Sequence, residues 1–218
     1  MSRLRQIGWL YALFAILMSF AANAEFYAAA DQVRPLLPGM SAPLIEVLDV
    51  EGDPVTIDPA EIAQPMVLTF YRGGWCPYCN MHLSELRKAE QALQEMGFQV
   101  VFISADKPEL LYDSLQVEDI DYQLYSDAPL TVAQAFGVAF RVNEETLDRY
   151  EQFGHDLSAA SGHDHNALPV PATFIIGSDG RVQFSYANPD YTVRLSPKVL
   201  LAAAEAYLDN ADERLQRR

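Results

Sequence analysis

The stretch FYRGGWCPYC, residues 70–79, decides the fold and the chemistry of this chain. The apolar run PMVLTFY, residues 65–71, is rich in β-branched and aromatic side chains and predicts a strand buried on both faces of a sheet. From Pro77 onward, apolar residues recur at helical spacing, so a helix follows the strand directly. Cys76 and Cys79 form a Cys-x-x-Cys pair at this junction. The sequence therefore predicts a thiol pair at the N-terminus of a helix.

The position of the pair predicts redox chemistry. Unpaired N–H groups and the dipole at a helix N-terminus favour a thiolate, which predicts a lowered pKa for Cys76 and makes it the nucleophile. Cys79 follows one helical turn later, where it can resolve a mixed disulfide or a sulfenic acid by forming a Cys76–Cys79 disulfide. A static disulfide and a metal site are the alternatives. A disulfide that closes so short a loop would add little stability.

Four neighbours of the pair are candidates for positioning a substrate. Arg72 would supply positive charge near the thiolate, or would instead be a solvated or acid-paired residue at the strand end. Trp75 would cover one flank of the sulfur. Val170 and Pro171 precede a later strand, and together with the cysteine pair they predict a cis bond that holds this backbone beside the nucleophile. An ordinary trans proline at an edge strand is the alternative.

The remaining pattern alternates strands with helices, which predicts an α/β fold. A small N-terminal hairpin precedes the cysteine unit, and the apolar run at residues 98–104 predicts a strand parallel to the one before the helix. Residues 172–176 and 182–186, joined by Ser-Asp-Gly, predict a second hairpin. The further predictions are hairpin arms at 44–49 and 55–57, helices at 108–115, 129–136, 143–153 (an insertion) and 196–209, a strand at 122–125, and a polar loop at 158–167.

Composition sets limits on function. The chain has 218 residues, of which 50% are hydrophobic, so it can bury one sizeable core. Thirty acidic and 15 basic side chains give a net charge of −15. Contact with phosphates would be repulsive at this charge, which argues against a nucleic-acid-binding protein and against a protein that binds anionic membranes. Two cysteines cannot form a disulfide framework.

The N-terminus resembles a secretory signal. Arg3 and Arg5 precede an apolar run, residues 7–22, and the small-x-small triplet at residues 22–24 is typical of a signal-peptidase site. We predict that residues 1–24 are removed and that residues 25–218 form a single redox domain in the periplasm or another extracytoplasmic compartment. An uncleaved anchor is the alternative, and no stable membrane insertion is expected after cleavage.

A histidine-rich segment could suggest a metal. His155, His163 and His165, together with Asp156 and Asp164, include residue types that bind zinc or copper. They lack the helical spacing that would preorganise such a site. A solvated polar loop is the preferred interpretation, and no metal or other cofactor is predicted.

The motifs together resemble a known family. The resemblance covers roughly residues 38–208 and is to the alkyl hydroperoxide reductase/thiol-specific antioxidant family of the thioredoxin-fold superfamily, in its peroxiredoxin-like branch. It implies a central mixed sheet flanked by helices, a nucleophilic Cys76, a resolving Cys79 and a cis-Pro171. The motifs that carry it are FYRGGWCPYC (70–79), VPATFII (170–176), DGRV (179–182) and NPDYT (188–192).

The resemblance implies a thiol-dependent peroxidase that reduces hydrogen peroxide or alkyl hydroperoxides and is recycled by an external dithiol such as a thioredoxin-like protein. Two peroxide-activating groups typical of peroxiredoxins are unmatched. Gly73 stands three residues before Cys76, in place of a threonine or serine, and Pro171 stands in place of an arginine. A thioredoxin-like disulfide reductase, acting on disulfide substrates, is the alternative enzyme. A thiolate metal-binding module is the alternative of another class.

Overall fold

The computed structural model describes residues 26–111 and 123–210, which form a central mixed β-sheet flanked by helices. The strands are β1 (Ile45–Leu48), β2 (Pro54–Ile57), β3 (Met66–Tyr71), β4 (Gln99–Ser104), β5 (Gln123–Ser126), β6 (Ala139–Arg141), β7 (Ala167–Pro169), β8 (Ala172–Ile176) and β9 (Val182–Ala187). The helices are α1 (Pro77–Glu95), α2 (Thr131–Ala135), α3 (Glu144–Gln152), α4 (Leu157–Ser161) and α5 (Pro197–Asn210). The central sheet has the order β2-β1-β5-β4-β3-β8-β9, while β6 pairs with β7. The predicted α/β class is confirmed.

Strand β3 is an interior strand of the sheet, between β4 and β8, as its composition predicts. It runs parallel to β4 and antiparallel to β8, and all six of its residues are buried. Side chains alternate across a strand, so Leu68 and Phe70 pack into the core on one face of the sheet while Val67 and Tyr71 pack into the core on the other. The second core also contains α1 residues and both cysteines, which places the thiol pair on the α1 face.

Both predicted hairpins are present. Strands β1 and β2 pair antiparallel, with Ile45 opposite Ile57, and β8 and β9 pair antiparallel around a bulge at Ile175 and Ile176. Strand β5 pairs parallel with β4 and meets β1 at the Leu48 position. The β5 prediction began at residue 122, which lies outside the described residues.

The predicted helices agree with the structure wherever it describes them. Helix α3 is the predicted insertion, and the side chain of Asn143 caps it by accepting a hydrogen bond from the Thr146 N–H at 2.8 Å. Helices α2 and α5 correspond to the predictions at 129–136 and 196–209. Residues 108–111 are helical, and the remainder of the helix predicted at 108–115 lies outside the described residues.

The prediction of a polar loop at 158–167 is wrong in part. Asp156 caps helix α4 by accepting from the Ala159 N–H, and Leu157 is buried within α4. Strand β7 then pairs antiparallel with β6, and all three of its residues are buried. The many polar residues between these two short elements concealed the buried positions, because neither element is long enough to show a period.

The predicted cis bond before Pro171 is also wrong, since every peptide bond between described residues is trans. Val170 and Pro171 link β7 to β8. The Val170 N–H donates to the Val138 carbonyl, and the Pro171 carbonyl accepts from the Asn188 N–H at 3.2 Å. These backbone bonds hold the segment between the β6–β7 pair and the central sheet.

Residues 1–25 lie outside the described part of the chain, so the predicted signal at 1–24 and the predicted domain start at residue 25 stay predictions. Within residues 26–111 and 123–210, no helix has the length and apolar character needed to cross a membrane.

Candidate active site

Cys76 and Cys79 meet at the first turn of α1. Cys76 is the N-cap residue, and Pro77 takes the first helical position, where no N–H is needed. The Cys76 carbonyl accepts from the Cys79 N–H at 2.9 Å, which closes the first turn. Both thiols are free and buried. The turn brings the two sulfurs into hydrogen-bonding contact with each other.

The Cys76 thiol is the more acidic of the two. Its pKa falls from an ordinary 9.0 to about 6, chiefly because the Cys79 thiol donates a hydrogen bond to its sulfur. The Arg72 charge, the Cys79 backbone N–H and the Arg194 charge lower the pKa further, while burial opposes them. At pH 7 Cys76 is therefore mostly a thiolate, whereas an unperturbed thiol is mostly protonated.

The Cys79 thiol has the opposite character. Burial, and then its hydrogen bond and repulsion with Cys76, raise its pKa well above 9.0. Cys79 is thus a neutral donor that stabilises the Cys76 thiolate. This asymmetry is the one that a nucleophilic Cys76 and a resolving Cys79 require.

Arg72 is enclosed beside the Cys76 sulfur and is only 3% exposed. Its Nη1 lies 3.9 Å from the Cys76 Sγ, and its Nη2 donates to the Tyr150 hydroxyl. The guanidinium carbon lies 4.1 Å from the centre of the Tyr191 ring. Its Nε has no acceptor among the described residues. Among the described residues, the Arg72 guanidinium is therefore shielded from water and pairs with no carboxylate. Its positive charge acts on the Cys76 thiolate.

Trp75 forms one wall of the site. Its ring centre lies 5.5 Å from that of Tyr150 and 5.2 Å from that of His155, and the Arg72 guanidinium carbon lies 5.3 Å from it. Helix α3 supplies Tyr150, so the inserted helix helps to enclose Arg72. Trp75 and Tyr150 together cover the Arg72 guanidinium, whose charge lies beside the Cys76 sulfur.

A buried carboxylate holds the loop before Cys76. Asp106, at the end of β4, accepts from the Gly74 N–H at 2.7 Å, and its pKa is raised to about 6, mainly by burial. The negative charge of Cys76 contributes to this rise. Gly73 has a φ of +146° and faces Asp106 and Trp75 so closely that a Cβ would collide with both. Because glycine has no side chain, Gly73 and Gly74 leave room for the Asp106 carboxylate beneath the loop.

Among the described residues, no hydrogen bond joins Val170 or Pro171 to either cysteine. Val170 and Pro171 line a cavity of about 210 Å³ together with Arg72, Tyr150 and Tyr191. The cavity adjoins Arg72 on the side that faces β6 and β7. Their predicted role in positioning a substrate thus applies to this cavity and stays a prediction.

Sequence reasoning missed several residues of the site. Arg194, in the loop before α5, places its Nη2 3.5 Å from the Cys79 Sγ. His82 lies on α1 and contacts the Leu195 carbonyl through its Nε2 at 3.1 Å. Tyr191, predicted only as part of a family motif, covers Arg72. No spacing in the sequence indicates these contacts, because they join segments that are more than a hundred residues apart.

Two histidines of the histidine-rich segment make contacts within the fold. His165 contacts the Ala128 carbonyl through Nε2 and accepts from the Ala167 N–H through Nδ1, so both of its ring nitrogens are engaged. His155 packs against Trp75. Among the described residues, no group of three or more potential metal ligands is arranged around a common point.

The fold and the site together define a thioredoxin-fold protein of the peroxiredoxin-like class. The AhpC/TSA family model matches residues 38–185. The chain is also similar to Peroxiredoxin Bcp of Escherichia coli (strain K12), with 31% identity over 106 residues, covering 49% of this chain and 67% of that protein. The chain belongs to the AhpC/TSA family and is a peroxiredoxin-like oxidoreductase.

Solved structures agree with this fold. Peroxidoxin BcpB from Mycobacterium tuberculosis superposes with a TM-score of 0.60 at 24% identity, covering 78% of this chain and 96% of that one. A peroxiredoxin-like protein from Aquifex aeolicus gives a TM-score of 0.64 at 16% identity, covering 79% and 88%. These similarities confirm the predicted thioredoxin-like architecture.

Proposed function

We propose that this protein is an exported thiol-dependent peroxidase in which Cys76 reacts with the peroxide and Cys79 resolves the product. The observation that carries the proposal is a buried Cys76 sulfur at the N-terminus of α1, with the Arg72 Nη1 3.9 Å away and Cys79 one helical turn along the chain. The lowered pKa of Cys76 and the raised pKa of Cys79 agree with this arrangement. Thiolates attack peroxides, whereas thiols do not. Peroxiredoxin Bcp, to which the chain is similar, supports the same chemistry by its name.

The proposed reaction has three steps. The Cys76 thiolate attacks the peroxide, the O–O bond breaks, a Cys76 sulfenic acid forms and the leaving alkoxide or hydroxide takes a proton. The Cys79 sulfur then displaces the hydroxyl group, forming the disulfide, and the Cys79 proton leaves with that hydroxyl as water. An external dithiol, such as that of a thioredoxin-like protein, reduces the disulfide to two thiols.

Arg72 and Tyr150 are the groups that we propose bind the peroxide. The family threonine or serine before the cysteine is absent, and the hydroxyl of Thr69 is buried against Thr173 at 3.1 Å. The Arg72 guanidinium instead lies beside the Cys76 sulfur and donates to the Tyr150 hydroxyl. Both can donate to the oxygen that gains charge as the O–O bond breaks.

A single-turnover experiment tests this assignment. The reduced full chain, freed of reductant, is expected to consume one equivalent of hydrogen peroxide and to form a Cys76–Cys79 disulfide. The Cys79→Ser variant is expected to consume one equivalent and to retain a sulfenic acid that dimedone labels, because its resolving sulfur is missing. Mass spectrometry measures both products. A wild-type chain that leaves peroxide untouched but reduces insulin disulfides would instead support the disulfide reductase.

Export is proposed from the pattern at residues 1–24. Expression of the full chain in a Gram-negative host is expected to give a periplasmic protein whose N-terminal sequence begins at Glu25, because signal peptidase cuts after small-x-small triplets. Cell fractionation and N-terminal sequencing measure this. A protein that stays in the cytoplasmic fraction with Met1 intact would contradict export, and recovery with the membrane fraction would indicate an uncleaved anchor.

A further inference from the structure

Arg194 has an unusual environment for an arginine. Its Nε and Nη1 are buried and have no hydrogen-bond acceptor among residues 26–111 and 123–210, and its Nη2 contacts only the Cys79 Sγ. A buried guanidinium normally pairs with a carboxylate or with several carbonyls, because losing water without replacement is costly. In the resting protein its sulfur partner is a neutral thiol, since the pKa of Cys79 is raised by burial.

The loop that carries Arg194 is fixed against α1. Leu195 is buried, and its carbonyl contacts the ring Nε2 of His82, three residues after Cys79 on the same helix. Burial lowers the pKa of His82 to about 4, so its ring is neutral near pH 7 and can donate to that carbonyl. The guanidinium is therefore held at Cys79 by the fold, and the ring next to it adds no competing charge.

We propose that Arg194 is a catalytic residue that stabilises negative charge on the Cys79 sulfur while the disulfide forms and while it is reduced. Each sulfur then has its own arginine, Arg72 at Cys76 and Arg194 at Cys79. The inference rests on the proposed function for the first of these steps and is independent of peroxide for the second.

The chemistry explains why such a charge is needed. Cys79 attacks the Cys76 sulfenic acid as a thiolate. Its proton first passes to the sulfenic hydroxyl, and the S–S bond then forms as the S–O bond breaks and water leaves. When an external thiolate attacks the Cys76 sulfur, the S–S bond breaks and its electron pair goes to Cys79, which leaves as a thiolate. Both steps place charge on a fully buried sulfur, where a fixed cation has a large effect.

Three variants test the proposal. Arg194→Gln removes the charge, Arg194→Lys restores a cation, and Arg34→Gln changes an exposed arginine as a matched control. Rapid mixing with hydrogen peroxide, followed by dimedone quenching, separates Cys76 oxidation from disulfide formation. A second assay measures the rate at which dithiothreitol reduces the preformed Cys76–Cys79 disulfide.

Arg194→Gln is expected to slow disulfide formation and disulfide reduction at least about tenfold, with Cys76 oxidation changed less than about threefold. Arg194→Lys is expected to recover part of both rates, and Arg34→Gln to match the wild type. Unchanged rates in Arg194→Gln, or an Arg194→Lys variant as slow as Arg194→Gln, would overturn the proposal. If the wild type leaves peroxide untouched, the proposed peroxidase fails, and the dithiothreitol assay still decides the role of Arg194.

Discussion

Serine in place of Cys76 is expected to lower the rate of peroxide reduction roughly a thousandfold or more. The Cys76 sulfur is mostly ionised at neutral pH because its pKa is about 6, whereas a serine hydroxyl stays protonated there. The remaining Cys79 thiol is a poor substitute, since burial keeps its pKa well above 9.0. Peroxide consumption by the full chain, supplied with dithiothreitol, measures the effect.

Cys79→Ser is the matched control, because it removes the other sulfur while the serine hydroxyl can still donate a hydrogen bond to the Cys76 sulfur. It is expected to react with one equivalent of peroxide at a rate within an order of magnitude of the wild type. A Cys76→Ser variant that retains peroxide consumption, paired with a Cys79→Ser variant that loses it, would reverse the roles of the two cysteines. Thermal unfolding of both variants checks that each is folded.

Replacing Arg72 by methionine is expected to reduce the rate of peroxide attack roughly 10- to 100-fold. Methionine fills similar space without the charge, so the pKa of Cys76 should move from about 6 back toward its ordinary 9.0. The variant also loses the donor proposed to hold the leaving oxygen. Stopped-flow kinetics with hydrogen peroxide measures the rate, and iodoacetamide alkylation against pH measures the ionisation of Cys76.

Loss of the Arg72 charge should shift the pH profile of Cys76 alkylation toward higher pH. The thiolate is the reactive form, so a raised pKa moves the rise in alkylation rate to higher pH and lowers the rate at pH 7. Tyr150→Phe is the control for the alkylation profile alone, because it removes one hydroxyl and keeps both the Arg72 charge and the ring next to Trp75. An Arg72→Met variant with an unchanged alkylation profile would contradict the electrostatic role of Arg72.

Elements with strong local signals were predictable from the sequence. The uniformly apolar run that became β3 and the apolar period of α1 each identify a structure by themselves. Asn143 and the acidic residues after it identify α3, because a cap and a first turn are read from neighbouring residues. Short elements such as α4 and β7 were missed or placed in a loop, since three to five residues do not show a period.

In the proposed active site, too, the features with a local signal are predictable from the sequence and the long-range contacts are not. Cys76 and Cys79 were predicted because four consecutive residues and the change from strand to helix contain the whole signal. The sequence places Arg72 close to the thiol pair, but its environment is not predictable from the sequence, because Tyr191 and Tyr150 reach it from other elements. The prediction of a cis bond at Pro171 was wrong because it relied on a local motif, while the backbone there is held by contacts with other strands.

Local sequence was sufficient to establish a thiol pair at a helix N-terminus, since the helix dipole and the i to i+3 spacing act within a single turn. Only the assembled fold decided which charges surround each sulfur. Arg194 lies 115 positions from Cys79 along the chain, yet its guanidinium contacts that sulfur because the loop before α5 packs on α1. Electrostatic interactions depend on distance in space and on burial, and neither quantity is encoded by spacing along the chain.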